Sequence, residues 1–216
     1  MNETDPAASS RIVRVAAFDV DGTLTQRDCV VPFLRQVAGA RQLAQQLLRQ
    51  GGDVTRAAAR RDRDALKAAS AMAAFRGRPL DVVETEAALF ARSVFETGLR
   101  GDVVESLRAH QGRGDLVVLV SASFEVYLRP LADLLGADAV LAARLEVDSD
   151  GVLTGRLAGA NCRGPEKVRR LHDWLDDRAG GRSAAHVTAY GDSKGDRELL
   201  ADADDARWVG RGKMPR

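Results

Sequence analysis

The chain has 216 residues, 45% apolar and 29% charged, with a net charge of +1. That length and balance suit one sizeable globular core with room for a small accessory unit. The near-neutral charge gives no argument for a nucleic-acid partner, and no segment approaches the roughly 18–20 apolar residues needed to span a bilayer.

Residues 1–10 are polar, lack a signal-peptide apolar region and are expected to form a flexible tail. The first strand is the apolar run 12–18. It ends on Phe18-Asp19-Val20-Asp21-Gly22-Thr23-Leu24, two aspartates one residue apart on a Gly-Thr turn. From Thr25 to about Gly98 the strand signal vanishes. A helical stripe covers 30–50 through Phe33, Leu34, Val37, Leu43 and Leu47. An Ala- and Arg-rich helix spans 53–76, and a third starts at Arg78-Pro79. Gly51-Gly52 and Gly77 mark the breaks.

Strand character returns at 116–120, which delivers Ser121 and a helix over 124–135. A short strand at 139–141 follows. Alternating apolar residues around Asp150-Gly151 then predict a β-hairpin over 145–155. Pro165 suits a first helical turn, which puts Lys167 near a helix start. The run 186–190 is a further strand, ending on Tyr190-Gly191-Asp192-Ser193-Lys194-Gly195-Asp196, and 207–210 is a candidate fifth. Strand–helix alternation argues for an α/β fold, a Rossmann-like parallel sheet flanked by helices. Its strand C-terminal ends would share one edge, where ligands bind. The expected division is a core of 11–25 and 99–216 with an all-helical insertion, 26–98, that can close over the site.

Several residues at that edge carry chemistry. Asp19 and Asp21 repel one another unless a cation intervenes, and a hard cation prefers oxygen ligands. Asp19 could then be a nucleophile and Asp21 a proton donor to the leaving group. Ser121 and the amides after it, Ala122 first, can donate to phosphate oxygens; Ser121 is equally a helix N-cap. A cation at Lys167 runs against the helix dipole, which hints at a chemical reason for it: a lysine there could hold the nucleophile and phosphoryl oxygens together. Asp192 would be a second metal carboxylate, and Asp196 would orient Lys167 or a metal-bound water. His110, His172 and His186 form no metal pattern. Cys29 and Cys162 lack a CxxC partner, which speaks against zinc and fits reduced thiols in the cytoplasm or a single disulfide.

In order and spacing these motifs resemble the haloacid dehalogenase superfamily. FDVDGTL is similar to its first motif, VLVSAS to its second, the Lys167 helix to its third and YGDSKGD to its fourth, over residues 12 to 200. The helical insertion and the hairpin before Lys167 resemble the phosphoserine-phosphatase-like subgroup, subfamily IB, with a C1 cap. The resemblance implies a magnesium-dependent phosphatase acting through an aspartyl-phosphate. Asp19 would attack, Asp21 would protonate the leaving alcohol and then activate water, and Mg2+ would be held by Asp19, the Asp21 carbonyl and Asp192. Ser121 and Lys167 would stabilise the transferring phosphoryl group. The second aspartate argues against the dehalogenase branch.

Asp28 matches the position of a substrate-binding glutamate in phosphoserine phosphatases; the bland alternative is an exposed helix N-cap. The cap arginine of those enzymes has no clear match, with Lys67 and Arg76 nearby. Asp28, Val31-Pro32-Phe33-Leu34 and Asn161-Cys162-Arg163-Gly164 look closer to a sister group that includes phosphatidylglycerophosphatase C-like enzymes. The implied partner is therefore a small phosphorylated substrate, with phosphoserine or a lipid phosphate as alternatives. A phosphotransferase or a catalytically silent binding protein could be built on the same scaffold, but no acidic motif residue has decayed.

Overall fold

The computed structural model describes residues 12–49, 51–60 and 62–214. The tail expected over 1–10 lies outside them. The central sheet has five parallel strands: β1 (Val13–Phe18), β2 (Leu116–Phe124), β3 (Ala139–Ala143), β6 (Ala185–Gly191) and β7 (Asp205–Trp208). Their spatial order is β3-β2-β1-β6-β7. The strand expected at 207–210 is β7, lying two residues earlier and paired along β6 from Thr188↔Asp205.

β1 occupies the middle and from Val15 to Phe18 is buried on both faces, which explains the apolar run there, while Arg14 at its start is exposed. Val15 and Ala17 face one cluster, with Leu171 and Leu175 of α8 (Pro165–Ala179) and Leu199 and Leu200 of α9 (Arg197–Asp202). Ala16 and Phe18 face the other, with Leu107 of α6 (Gly101–Gly112) and Leu128 and Leu131 of α7 (Glu125–Leu135). That second cluster runs on without interruption into the helices between β1 and α6.

Those helices are α1 (Val30–Ala38), α2 (Ala40–Arg49), α3 (Gly51–Ala59), α4 (Arg63–Phe75) and α5 (Leu80–Thr97). The stripe read as one helix over 30–50 is two. Gly39, at φ 76°, ends α1 and turns the chain into α2. The helix expected over 53–76 is also two. Asp62 accepts from Ala65 N at 2.9 Å and caps α4 afresh. Gly51, read as a break, is instead the first residue of α3. Gln26 N donates to Gly98 O at 2.9 Å and Arg100 N to Leu24 O at 2.9 Å, so the helical segment leaves and re-enters the sheet region through adjacent backbone.

Phe33 (α1), Phe90 (α5) and Tyr127 (α7) pack with ring centroids 4.7–5.3 Å apart, and Phe75 (α4) meets Phe124 edge-on at 5.1 Å. The predicted hairpin forms as β4 (Leu145–Val147) and β5 (Leu153–Leu157). It supports the α4–α5 connection, since Gly77 N donates to Leu153 O and Leu153 N to Arg78 O, both at 2.8 Å. Among the described residues no helix is long and apolar enough to cross a membrane.

Candidate active site

The C-terminal ends of β1, β2 and β6 meet at one edge; Asp19 and Asp192 directly follow β1 and β6, and Ser121 lies where the β2 pairing becomes irregular. Asp19 follows β1, its N donating to Tyr190 O of β6 at 3.0 Å. The chain then turns tightly over 20–24, closed by Thr25 N donating to Val20 O at 2.9 Å. Gly22 makes that turn at φ 84°, and a Cβ there would run into the Asp192 carboxylate. Gly22→Ala should therefore cost about 1–3 kcal/mol from backbone strain alone. Urea unfolding beside the wild type measures it; an unchanged midpoint would refute the strain argument.

Lys167 lies in the first turn of α8 but is not a surface lysine; it is 1% exposed. Its Nζ donates to Asp19 Oδ1 and to Asp196 Oδ1, each at 2.6 Å. Burial works against the ammonium, but the Asp19 and Asp196 carboxylates outweigh it and hold its pKa above the usual lysine value. Asp19 also shifts upward, but there burial outweighs the partner charge. Burial raises it to about 7, with Lys167 opposing. Asp196 is fixed by a capping box, its Oδ2 accepting from Ser193 N at 3.0 Å and Ser193 Oγ at 2.8 Å.

Asp192 accepts from Thr23 Oγ1 at 3.3 Å, and burial raises its pKa. Asp19, Asp192 and Asp196 can bring carboxylate oxygens within 4.8 Å of one another. Because Asp196 is committed to Lys167 and its cap, Asp19 and Asp192 are the carboxylates left for a cation. Three carboxylates against one ammonium leave excess negative charge among oxygen donors, which fits a hard divalent ion.

Asp21 does not turn its side chain toward Asp19's partners. Its Oδ1 accepts from Cys29 N at 2.8 Å and its Oδ2 from the Ser123 hydroxyl. Burial raises its pKa, with those donors opposing. Beyond Ser121 the β2–β3 register shifts, and β2 continues to Phe124 before α7 begins. Ser121 is therefore no helix cap. Its Oγ accepts from Ser123 N at 3.1 Å, which orients the hydroxyl and takes up the Ser123 amide. Ala122 lines the cleft, and its carbonyl accepts from Lys67 Nζ.

Asp28 is exposed at the cleft rim. Its Oδ1 accepts from Val30 N at 2.9 Å and Val31 N at 3.3 Å, so it does cap α1. Lys67 of α4 reaches the cleft, 9% exposed, with Nζ 3.9 Å above the Phe124 ring, and burial pulls its pKa down to about 8. Arg76 lies on another surface, beside Gly155. The whole arrangement lines one open cleft of about 630 Å³, whose outer wall is Val30, Val31, Leu34 and Leu66. Cys29 and Cys162 are free and buried, and burial pushes their thiols up to about 12 and about 11, so neither supplies a thiolate.

Two contacts escaped the sequence reading. At Ser123 it offered only the backbone amide as a donor, whereas the hydroxyl meets Asp21. Arg100 donates from Nη1 to Gly22 O at 3.1 Å and to Val209 O at 3.0 Å, tying the Asp21 turn to the chain after β7.

A parallel α/β sheet with acidic loops gathered at its C-terminal edge defines a hydrolase-type site of known design. The chain belongs to the haloacid dehalogenase-like hydrolase family, whose model matches residues 16–201. It is similar to protein CicA of Caulobacter vibrioides, 36% identical over 206 residues, covering 92% of this chain and 87% of that one. It is also similar to phosphoserine phosphatase SerB2 of Mycobacterium tuberculosis, 29% identical over 194 residues, 89% of this chain but 43% of the relative. Among solved structures, a protein of unknown function from Bordetella pertussis Tohama I superposes with a TM-score of 0.65 at 26% identity, covering 88% of this chain and 86% of that one.

Proposed function

We propose that the protein is a magnesium-dependent phosphatase that hydrolyses a phosphate monoester through an aspartyl-phosphate on Asp19. The observation that carries this reading is the buried Asp19 carboxylate at the end of the central strand, with the Lys167 ammonium 2.6 Å away and Asp21 two residues on. Membership of a hydrolase family and similarity to a relative named as a phosphatase support it.

Asp19 attacks phosphorus, and the bond from phosphorus to the alcohol oxygen breaks. The electron pair leaves with that oxygen, which takes the Asp21 proton. The Asp21 carboxylate then draws a proton from water, whose oxygen displaces Asp19 and releases inorganic phosphate. Lys167 and the Ser121 hydroxyl balance the phosphoryl charge, with the Ala122 amide beside them. Asp196 keeps Lys167 in place. Asp19, Asp192 and the Asp21 carbonyl would hold magnesium, which would supply further positive charge for the phosphoryl transfer. Helices α1–α5 act as a cap that limits water and selects the leaving group. A cytoplasmic setting is in keeping with the two free thiols.

For the leaving group, the apolar wall of Val30, Val31, Leu34 and Leu66 favours an amphiphilic alcohol, so a lipid phosphate is the second reading. Phosphoserine is less favoured, because the Asp28 oxygen already caps α1. Release of phosphate from phosphoserine, sugar phosphates, lysophosphatidate and phosphatidylglycerophosphate, assayed with magnesium and with EDTA, tests both. The expected result is turnover that EDTA abolishes and magnesium restores, together with hydroxylamine trapping at Asp19. Turnover undiminished in EDTA would overturn the metal assignment.

A further inference from the structure

Asp21 is held through both carboxylate oxygens, by donors from two separate parts of the fold. Cys29 N, on the approach to α1, takes Oδ1, and the Ser123 hydroxyl, in the irregular end of β2, takes Oδ2. With both oxygens engaged, rotation about the side-chain torsions is blocked, and the carboxyl group keeps one bearing on the cleft. The cleft wall includes both Asp21 and Ser123.

Ser123 is built for that contact. It is fully buried at 0% exposure, and its amide is pinned by Ser121 Oγ at 3.1 Å. A serine at a strand end commonly turns its hydroxyl onto nearby backbone. This one reaches a carboxylate 102 residues away in sequence. Tyr127 of α7 is also fully buried, with its ring packed against Phe33 and Phe90.

We infer that Ser123 is a positioning residue for proton donation: its hydroxyl holds Asp21 against the leaving-group oxygen and suits the site to esters of weakly acidic, alkyl-type alcohols. This rests on the reading of Asp21 as the proton donor. When the bond from phosphorus to oxygen breaks, the electron pair stays on the departing oxygen, the Asp21 proton passes to it, and Asp21 is left as a carboxylate. Two donors already aimed at that carboxylate stabilise the state the transfer creates. An alkoxide cannot leave without the proton, whereas a nitrophenolate leaves as a stable anion and gains little from a donor.

The test is kcat/KM over a series of phosphate esters, from p-nitrophenyl through phenyl to alkyl, for wild type, Ser123→Ala and Asp21→Asn. This ratio covers the steps up to formation of the aspartyl-phosphate, so the later use of Asp21 as a base does not enter. For Ser123→Ala the alkyl ester should lose about 10-fold or more while the nitrophenyl ester stays within about 3-fold, steepening the dependence on leaving-group acidity. Asp21→Asn should steepen it further. The slope across the series does not depend on how much of the variant is folded. An equal loss for every ester in Ser123→Ala, with Asp21→Asn steepened, overturns the role of Ser123 and leaves that of Asp21 standing. No steepening in Asp21→Asn overturns the proton-donor reading and the inference with it.

Discussion

Asp19→Asn should abolish turnover of p-nitrophenyl phosphate and, in the same protein, raise the melting temperature of the metal-free form. The first effect follows from chemistry. An amide neither attacks phosphorus nor forms an acyl phosphate, so a loss of at least ~10⁴-fold is expected, about 5 kcal/mol in the barrier. The second follows from burial. Asp19 is 6% exposed, and its pKa stands raised from 3.8 to about 7. A group raised in this way contributes stability below its unfolded pKa and loses it as pH rises through the folded value. The metal-free wild type therefore surrenders stability between about pH 4 and pH 7, and the asparagine variant does not.

Loss of one carboxylate partner of Lys167 offsets part of the gain. The net rise above neutral pH should be on the order of 1 kcal/mol, or about 2–4 °C, closing as pH falls toward 4. Magnesium should raise the wild-type melting temperature more than the variant's. Scanning calorimetry in EDTA and in magnesium reads all of this, and retained turnover would sink the nucleophile assignment.

Lys167→Met should be harmful in both respects. The lysine sits between two carboxylates, with side chains of Asp19 and Asp196 only 9% and 2% exposed. Removing it leaves like charges facing one another in a buried site, a loss typically of about 3–5 kcal/mol. For a chain of this size that is a fall of roughly 10 °C in melting temperature. Turnover should drop by about 10²–10³-fold, as for other groups that stabilise transition-state charge. The stability loss should shrink at acid pH. Lys167 opposes the upward shift of Asp19, so without the ammonium Asp19 titrates further above its unfolded value and its protonation relieves the repulsion. A stability loss independent of pH would mean that Lys167 acts through packing alone.

Much of this site was legible because Asp19 and Asp192 each follow an apolar strand. Phe18-Asp19 and Gly191-Asp192 announce themselves as an apolar run breaking into acid. Lys167 was readable because Pro165 fixed a helix start and a cation there needed a reason. Direction was not legible. Asp19 and Asp21 read as a shared pair, yet the turn at Gly22 sends Asp21 to Cys29 N and Ser123 instead. Asp28 read as a substrate contact or a cap, and hydrogen bonds to Val30 N and Val31 N favour the cap.

Long-range contacts escaped for a plain reason. Ser123 meets Asp21 across 102 positions and Lys67 meets Ala122 across 55, and no local pattern encodes either. Helix boundaries failed where one glycine or one cap decides. Periodicity carries through Gly39, but its left-handed backbone does not.

The aromatic cluster of Phe33, Phe90 and Tyr127 bears on how such an enzyme could be re-engineered or could diverge. Two of these rings belong to the inserted helices, while the third belongs to α7, whose other side lies on the sheet. Grafting α1–α5 from a relative would import a face shaped for a different α7. Successful chimeras should therefore exchange residues 26–98 together with the side of α7 that carries Tyr127, so the natural unit of substitution is discontinuous in the chain.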